Sequence, residues 1–234
     1  MKRVVAAVGG SVLVPSLESH RLKEWSTSLI NLSAKGIQVF VVVGGGGEAR
    51  RYINVCRDIS LDEASSDEIG IQVTRINAAL LIGALGEYAY PRVAESYIQA
   101  KEFAVSGKIV VMGGVTPGQT TDAVAAVLAE ETKADLLLDL TAVDGIYSAD
   151  PKKDPKATKF TTMTPADLIS LIMKEKMNAG SNMIIDLVAA KITERSGIPM
   201  LVIDGRDPAI MEHALLDGTF NGTTVGEKPV KLPL

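Results

Sequence analysis

Five short apolar runs alternate along this chain with longer segments of helical period, and that alternation limits its fold more than any other feature. Residues 4–8, 37–43, 109–112, 135–140 and 200–203 are mostly β-branched or aliphatic. They have the length of strands and are apolar on both faces, as strands inside a covered parallel sheet are. Between them, Leu22, Trp25, Leu29 and Leu32 recur at intervals of three and four, and Ile69, Val73, Ile76 and Leu80 mark a second helix. Residues 122–131 read as a third. This order predicts an α/β fold with a mainly parallel central sheet. The segment 148–160, "SADPKKDPKATKF", rich in Pro and Lys, reads as the nearest thing to a linker.

The bulk properties set further limits. A chain of 234 residues with 47% hydrophobic content is long enough for one large domain with a sizeable core. The net charge of −4 gives no basic stripe for a nucleic-acid polymer. With the single cysteine Cys56 there is no intrachain disulfide and no zinc ribbon. His20 and His213 lack the spacing of a metal helix, and both are read as structural, with Trp25 and Cys56. "MKRVVAAVGGSVLV" has the charge and apolar run of a secretory leader, but "PSLESHRLKEW" follows it in place of a small-residue cleavage site. The expectation is a cytoplasmic protein with no apolar stretch of the ~20 residues that span a bilayer.

In open parallel sheets, ligands sit at the carboxyl ends of the strands. The residues after four of these runs are "GGS" (9–11), "GGGG" (44–47), "GGVTPGQTTD" (113–122) and "TAVDGIYSADP" (141–151). Each carries glycine, hydroxyl or carboxylate, and none carries a hydrophobic plug. Four consecutive glycines cost conformational entropy on folding. They serve either as a tight flexible turn or as a backbone cradle for phosphate leading into a helix near Glu48, with Arg50 in its first turn.

Two familiar patterns nearly match. Gly44, Gly46 and Ala49 satisfy a loose dinucleotide fingerprint, which a glycine string does easily. Gly113 and Gly118 have P-loop spacing, but Gln119 stands where the phosphate-binding lysine belongs, which excludes a Walker-type NTPase. Thr120 or Thr121 caps the following helix, whose first turn holds Asp122. Asp144 and Asp150 lie six residues apart in an irregular loop.

Together "GGS", "VVVGGGGEARRYI", "DEIGIQVTRINAALL", "VMGGVTPGQTTDAVAAVLAEETKADLLLDLTAVDGIYSADPKKDP" and "NGTTV" resemble the archaeal uridylate kinases of the amino acid kinase family. The resemblance runs from about residue 3 to 225, and the pairing of "PGQTTDAVAA" with "VDGIYSADP" is its most specific part. It implies a three-layer α/β/α sandwich and ATP-dependent phosphorylation of UMP to UDP with Mg. It further implies one domain over 1–234, with a UMP-side lobe over roughly 1–132 and an ATP-side lobe over roughly 133–234, assembled as a homohexamer. Carried over position by position, Gly9, Gly10, Ser11, Gly46, Arg50, Thr141, Tyr147 and Asp150 face ATP. Gly45, Asp67, Val115, Thr116, Pro117, Gly118, Gln119, Thr120 and Thr121 face UMP. Arg50 and Asp144 are the catalytic candidates, and no protein ligand for a metal is assigned.

One departure stands out. Many family members place a lysine three residues before the second glycine of the first loop, and here that position is Ala7. Arg50 and magnesium are then expected to supply most of the neutralisation at the transferring phosphoryl group. Rival readings are another small-acid or phosphate kinase of the family, such as an isopentenyl phosphate or carbamate-type kinase, an anion-storage protein on the same fold, and a dinucleotide-binding dehydrogenase.

Overall fold

The computed structural model describes residues 1–16, 21–151, 153–176 and 185–234; His20 lies outside them. Strands β1 (Arg3–Val8), β2 (Gln38–Val43), β3 (Val110–Met112), β4 (Leu136–Thr141), β5 (Thr162–Met163), β6 (Met200–Asp204) and β7 (Gly222–Val225) form one sheet in the order β3-β2-β1-β4-β6-β7-β5. All neighbours are parallel except β6 and β7. The five expected strands are all present. β7 was hidden because "GTTV" has no apolar run, and β5 because it is two residues long.

Alternate residues of the central strands feed two separate cores. Val4, Ala6, Val8, Val41, Leu138 and Leu140 pack on one face, with Trp25 and Leu29 of α2 (Arg21–Ala34) and Leu81 and Leu85, which come from a later helix. Val5, Ala7, Val42, Leu137 and Val202 pack on the other face, with Val124 and Leu128 from a helix after β3. Burial on both faces explains why these strands are apolar throughout. The result is a three-layer α/β/α sandwich.

The short turn α1 (Gly10–Leu13) precedes α2, and α3 (Gly46–Asp58), α4 (Glu63–Leu85), α5 (Tyr97–Ala104), α6 (Thr121–Thr132), α7 (Pro165–Lys176), α8 (Leu187–Ser196) and α9 (Ala209–Glu212) complete the described α-helices. α1 corrects the expectation of a plain loop after β1, and Arg50 lies just past the first turn of α3 rather than in it. The segment 148–160 is no linker. Excluding residue 152, it folds back on itself, with Ser148 N–H bonded to the Thr158 carbonyl and Phe160 N–H to that of Ile146.

α4 exists where the period placed it, but with another face inward. Ser66, Gly70, Val73, Asn77 and Leu81 are buried, whereas Ile76 is 59% and Leu80 43% exposed. The small and polar inner residues let α4 sit close to the β2 and β3 ends. Contrary to expectation, the run Glu63–Tyr88 is long and apolar enough, by length and composition, to cross a membrane. Its inner face is packed within the molecule.

Trp25 and Cys56 are buried, and His213 sits at the surface beside Asp217, 3.1 Å from its carboxylate.

Candidate active site

The chain runs from β1 outward to β2 and β3, then returns to place β4 on the other side of β1. That reversal opens a crevice at the carboxyl ends of β1 and β4, where ligands bind in such sheets. A pocket of about 270 Å³ lies there. It is lined by Gly9, Gly10 and Ser11 after β1, by Gly44, Gly45, Gly46 and Arg50 after β2, and by Thr121 and Asp122 at the start of α6. Asp139, Leu140 and Thr141 of β4 close it. This is room for phosphate groups rather than for two whole nucleotides, so sugars and bases must lie outside it.

The glycines first make room for one another. A Cβ on Gly10 would lie 2.2 Å from the Gly46 nitrogen and 2.4 Å from the Gly44 oxygen, and a Cβ on Gly44 would lie 2.7 Å from the Gly10 nitrogen. The loops after β1 and β2 therefore touch backbone to backbone. Gly46 also has φ +65°, which disfavours a side chain whatever the space. Gly9 N–H donates to the Leu140 carbonyl at 3.0 Å and Gly44 N–H to the Val8 carbonyl at 2.9 Å, so sheet pairing continues into both loops. Asn77 on α4 donates from its buried Nδ2 to the Gly44 carbonyl at 3.0 Å, clamping the second loop from behind. Sequence reasoning missed Asn77; its signal is an amide inside an otherwise apolar helical stretch.

α3 begins at Gly46 with no side-chain cap, which leaves its first backbone N–H groups directed out of the helix toward the pocket side. Arg51 pairs with Glu48 at 2.6 Å, while Arg50 is exposed and makes no ion pair with any described residue. Among the described residues, Arg50 is the sole cation lining the pocket.

A second group assembles beside the pocket. Asp67 on α4 accepts from Gly118 N–H at 2.8 Å, tying the loop 115–121 to α4. Gly114 N–H donates to the Thr74 hydroxyl at 2.7 Å, which fixes the base of the same loop. Thr120 caps α6 through Ala123 N–H at 3.1 Å. Among the UMP candidates, Gly45 and Thr121 line the pocket, Asp67 meets Gly118, and Val115, Thr116, Pro117, Gln119 and Thr120 lie along the loop between.

At the end of β4, Thr141 reaches the pocket, but Asp144, past the strand, does not line it. Asp144 accepts from the Tyr147 hydroxyl at 2.8 Å, from Lys159 Nζ at 3.0 Å and from Asn221 Nδ2 at 3.1 Å. Burial raises its carboxyl, but these donors outweigh burial and hold it below the usual carboxylate range. Asp144 therefore orders the loop around Tyr147. Lys159, inside the supposed linker, is a cation that sequence reasoning passed over. Asp150 pairs with Lys153 at 3.8 Å in the same excursion.

Asp122 and Asp139 were not among the expected site residues. Asp139 is 5% exposed, and its Oδ2 has no hydrogen-bond partner among the described residues. Burial, then the charge of Asp122, pushes its carboxyl well above the ordinary value. Burial and the charge of Asp186 push Asp122 up to about 6. The available signal was a carboxylate within the buried run "LLLDLT".

A doubly wound sheet with two glycine loops and a helix start converging on one phosphate-sized pocket defines a nucleotide- or phosphate-handling enzyme of the α/β class. The profile of the amino acid kinase family matches residues 2–204, and the chain belongs to that family. It is 74% identical over its whole length, and over all of the relative, to a uridylate kinase of Methanocorpusculum labreanum. It is 56% identical to one of Methanoculleus marisnigri, with 97% of each chain covered. The crystal structure of uridylate kinase from Archaeoglobus fulgidus superposes with a TM-score of 0.85 at 45% identity, covering 97% of this chain and all of that one.

Proposed function

We propose that the protein is a UMP kinase, transferring the γ-phosphoryl group of ATP directly to the phosphate of UMP to give UDP and ADP in pyrimidine nucleotide biosynthesis. The observation that carries this reading is the convergence of the loops after β1 and β2, the start of α6 and Arg50 on one pocket. Identity over the full length to proteins named uridylate kinase supports the choice of acceptor.

The acceptor is a phosphate oxygen that already bears charge near neutral pH, so no general base is required. What the protein must supply is in-line positioning and charge neutralisation. Touching glycine loops bring the backbone of both strand ends to one point, where donor and acceptor phosphates meet. Arg50, adjustable on the outer side of α3, follows the transferring group. Asp67 and the loop 115–121 hold the UMP side, and Thr141, with the ordered Tyr147 and Asp150 loop, holds the ATP side. Asp144 acts there by positioning. Magnesium accompanies ATP and offsets phosphate charge that a single arginine leaves over.

The chain reads as one domain with a UMP-side lobe over roughly 1–132 and an ATP-side lobe beyond, working in the cytoplasm as a homohexamer. Two exposed apolar rows favour self-association. Tyr52 and Val55 on α3 and Ile59 just after it are each more than half exposed, as is Ile76 on α4, which Leu80 follows one turn later.

Product identification tests the proposal. Phosphorus NMR of ATP, magnesium and UMP should show UDP and ADP rising together only when protein is present. ADP accompanied by free phosphate, without UDP, would contradict it.

A further inference from the structure

We propose that Asp122 and Asp139 form a divalent-cation site on the protein itself, at the floor of the phosphate pocket, which holds a metal ion before nucleotide arrives. The inference deepens the kinase reading, since such an ion would meet the phosphates there, but it is read from the pocket alone.

Four observations carry it. First, the two carboxylates line the same pocket from different elements, Asp122 from the first turn of α6 and Asp139 from β4. Second, Asp139 is buried, and its Oδ2 has no partner among the described residues. A buried carboxylate oxygen with no donor is costly, and such groups are ordinarily paired or bound to metal. Third, the sheet offers no cation in the row of Asp139. In the row across the strands, Asp139 has Ala7 on one side and Val202 on the other, with Val42 beyond Ala7. Fourth, Arg50, the one cation among the described lining residues, makes no ion pair with any described residue and stands on the exposed side of α3. Asp186, whose charge also reaches Asp122, is committed to capping α8 through Val188 and Ala189 N–H.

The chemistry of the donors selects the ion. Two carboxylates offer hard oxygen ligands only, and magnesium is typically held by one or two carboxylates together with waters and substrate phosphates. No group of three or more acidic, histidine or cysteine ligands occurs among the described residues. The site is therefore a half-site that phosphate oxygens complete.

Manganese serves as the probe. Electron paramagnetic resonance titration of the nucleotide-free protein at pH 8 should show one saturable Mn²⁺ per chain, displaced by magnesium. Asp139→Asn and Asp122→Asn should each weaken that binding at least about tenfold, which is roughly 1.4 kcal/mol. Circular dichroism confirms that each variant is folded. In the wild type, Mn²⁺ should broaden the amide resonances of Gly10 and Gly46 and spare that of Asp154, which locates the ion without any variant. Absence of saturable binding, binding unchanged in Asp139→Asn, or broadening centred elsewhere would overturn the proposal. UDP formation is scored separately, so a kinase without this site and a site without kinase activity give different results.

Discussion

Ala7 on β1 lies directly beside Asp139 on β4 in the parallel register, so a methyl group is the sheet neighbour of a buried carboxylate. A charge in that place is unfavourable in the free protein, because nothing in its row of the sheet neutralises it. Asp139→Asn should therefore stabilise the metal-free protein by about 1–3 kcal/mol at pH 8, the order of the penalty for a buried unsatisfied group. Urea unfolding in the presence of a chelator measures this. Loss of stability in the variant would mean that the carboxylate has a partner in solution.

Among the described residues, Arg50 is the one cation lining the pocket, and no described carboxylate holds it as Glu48 holds Arg51. Arg50→Ala should lower kcat/KM by at least about tenfold, roughly 1.4 kcal/mol of transition-state stabilisation. Arg51→Ala should change it by less than about threefold, since an exposed helical ion pair contributes little. Equal effects of the two substitutions would remove Arg50 from its assigned role.

Asp67 reaches from α4 to Gly118 N–H and so fixes the middle of the loop 115–121, which we propose holds UMP. Asp67→Asn should raise the KM for UMP by about tenfold while leaving the KM for ATP within about twofold, the pattern of lost ground-state binding on one side only. An unchanged KM for UMP would make Asp67 a plain surface residue of the helix.

The exposed rows on α3 and α4 give a test of assembly. Replacing Ile76 and Leu80 together with aspartate should lower the sedimentation coefficient of the native protein and leave its circular dichroism unchanged. Neither side chain supports the core, because both point away from the buried face of α4. An unaltered sedimentation coefficient would place the subunit contacts elsewhere.

The legible part of this fold was the part written in apolar periodicity. All five central strands could be read, because strands covered on both faces must be continuously apolar. β7 could not, since "GTTV" pairs antiparallel at the sheet's far side through its backbone and carries no run. The face of α4 was misread for a related reason. Close packing against Ile53 of α3 and the loops after β2 and β3 demands small and polar residues inside, Gly70, Thr74 and Asn77, which pushes Ile76 and Leu80 outward. In the site, the glycine loops, Arg50, Thr121 and Thr141 were visible because they follow strands. Asp139 lies within a strand, and Lys159 lies in what looked like a linker. Only the pairing of β1 with β4 puts Asp139 beside Ala7, and only the fold-back of 148–160 delivers Lys159 to Asp144.

The central claim is that this pocket phosphorylates UMP. A coupled ADP-release assay with magnesium and ATP, run over UMP, CMP, dUMP, isopentenyl phosphate, acetylglutamate and carbamate, tests it most directly. The account predicts that UMP gives the highest kcat/KM, by about tenfold or more over isopentenyl phosphate, acetylglutamate and carbamate. A higher kcat/KM for one of those three acceptors, or ATP binding without turnover of any acceptor, would contradict it.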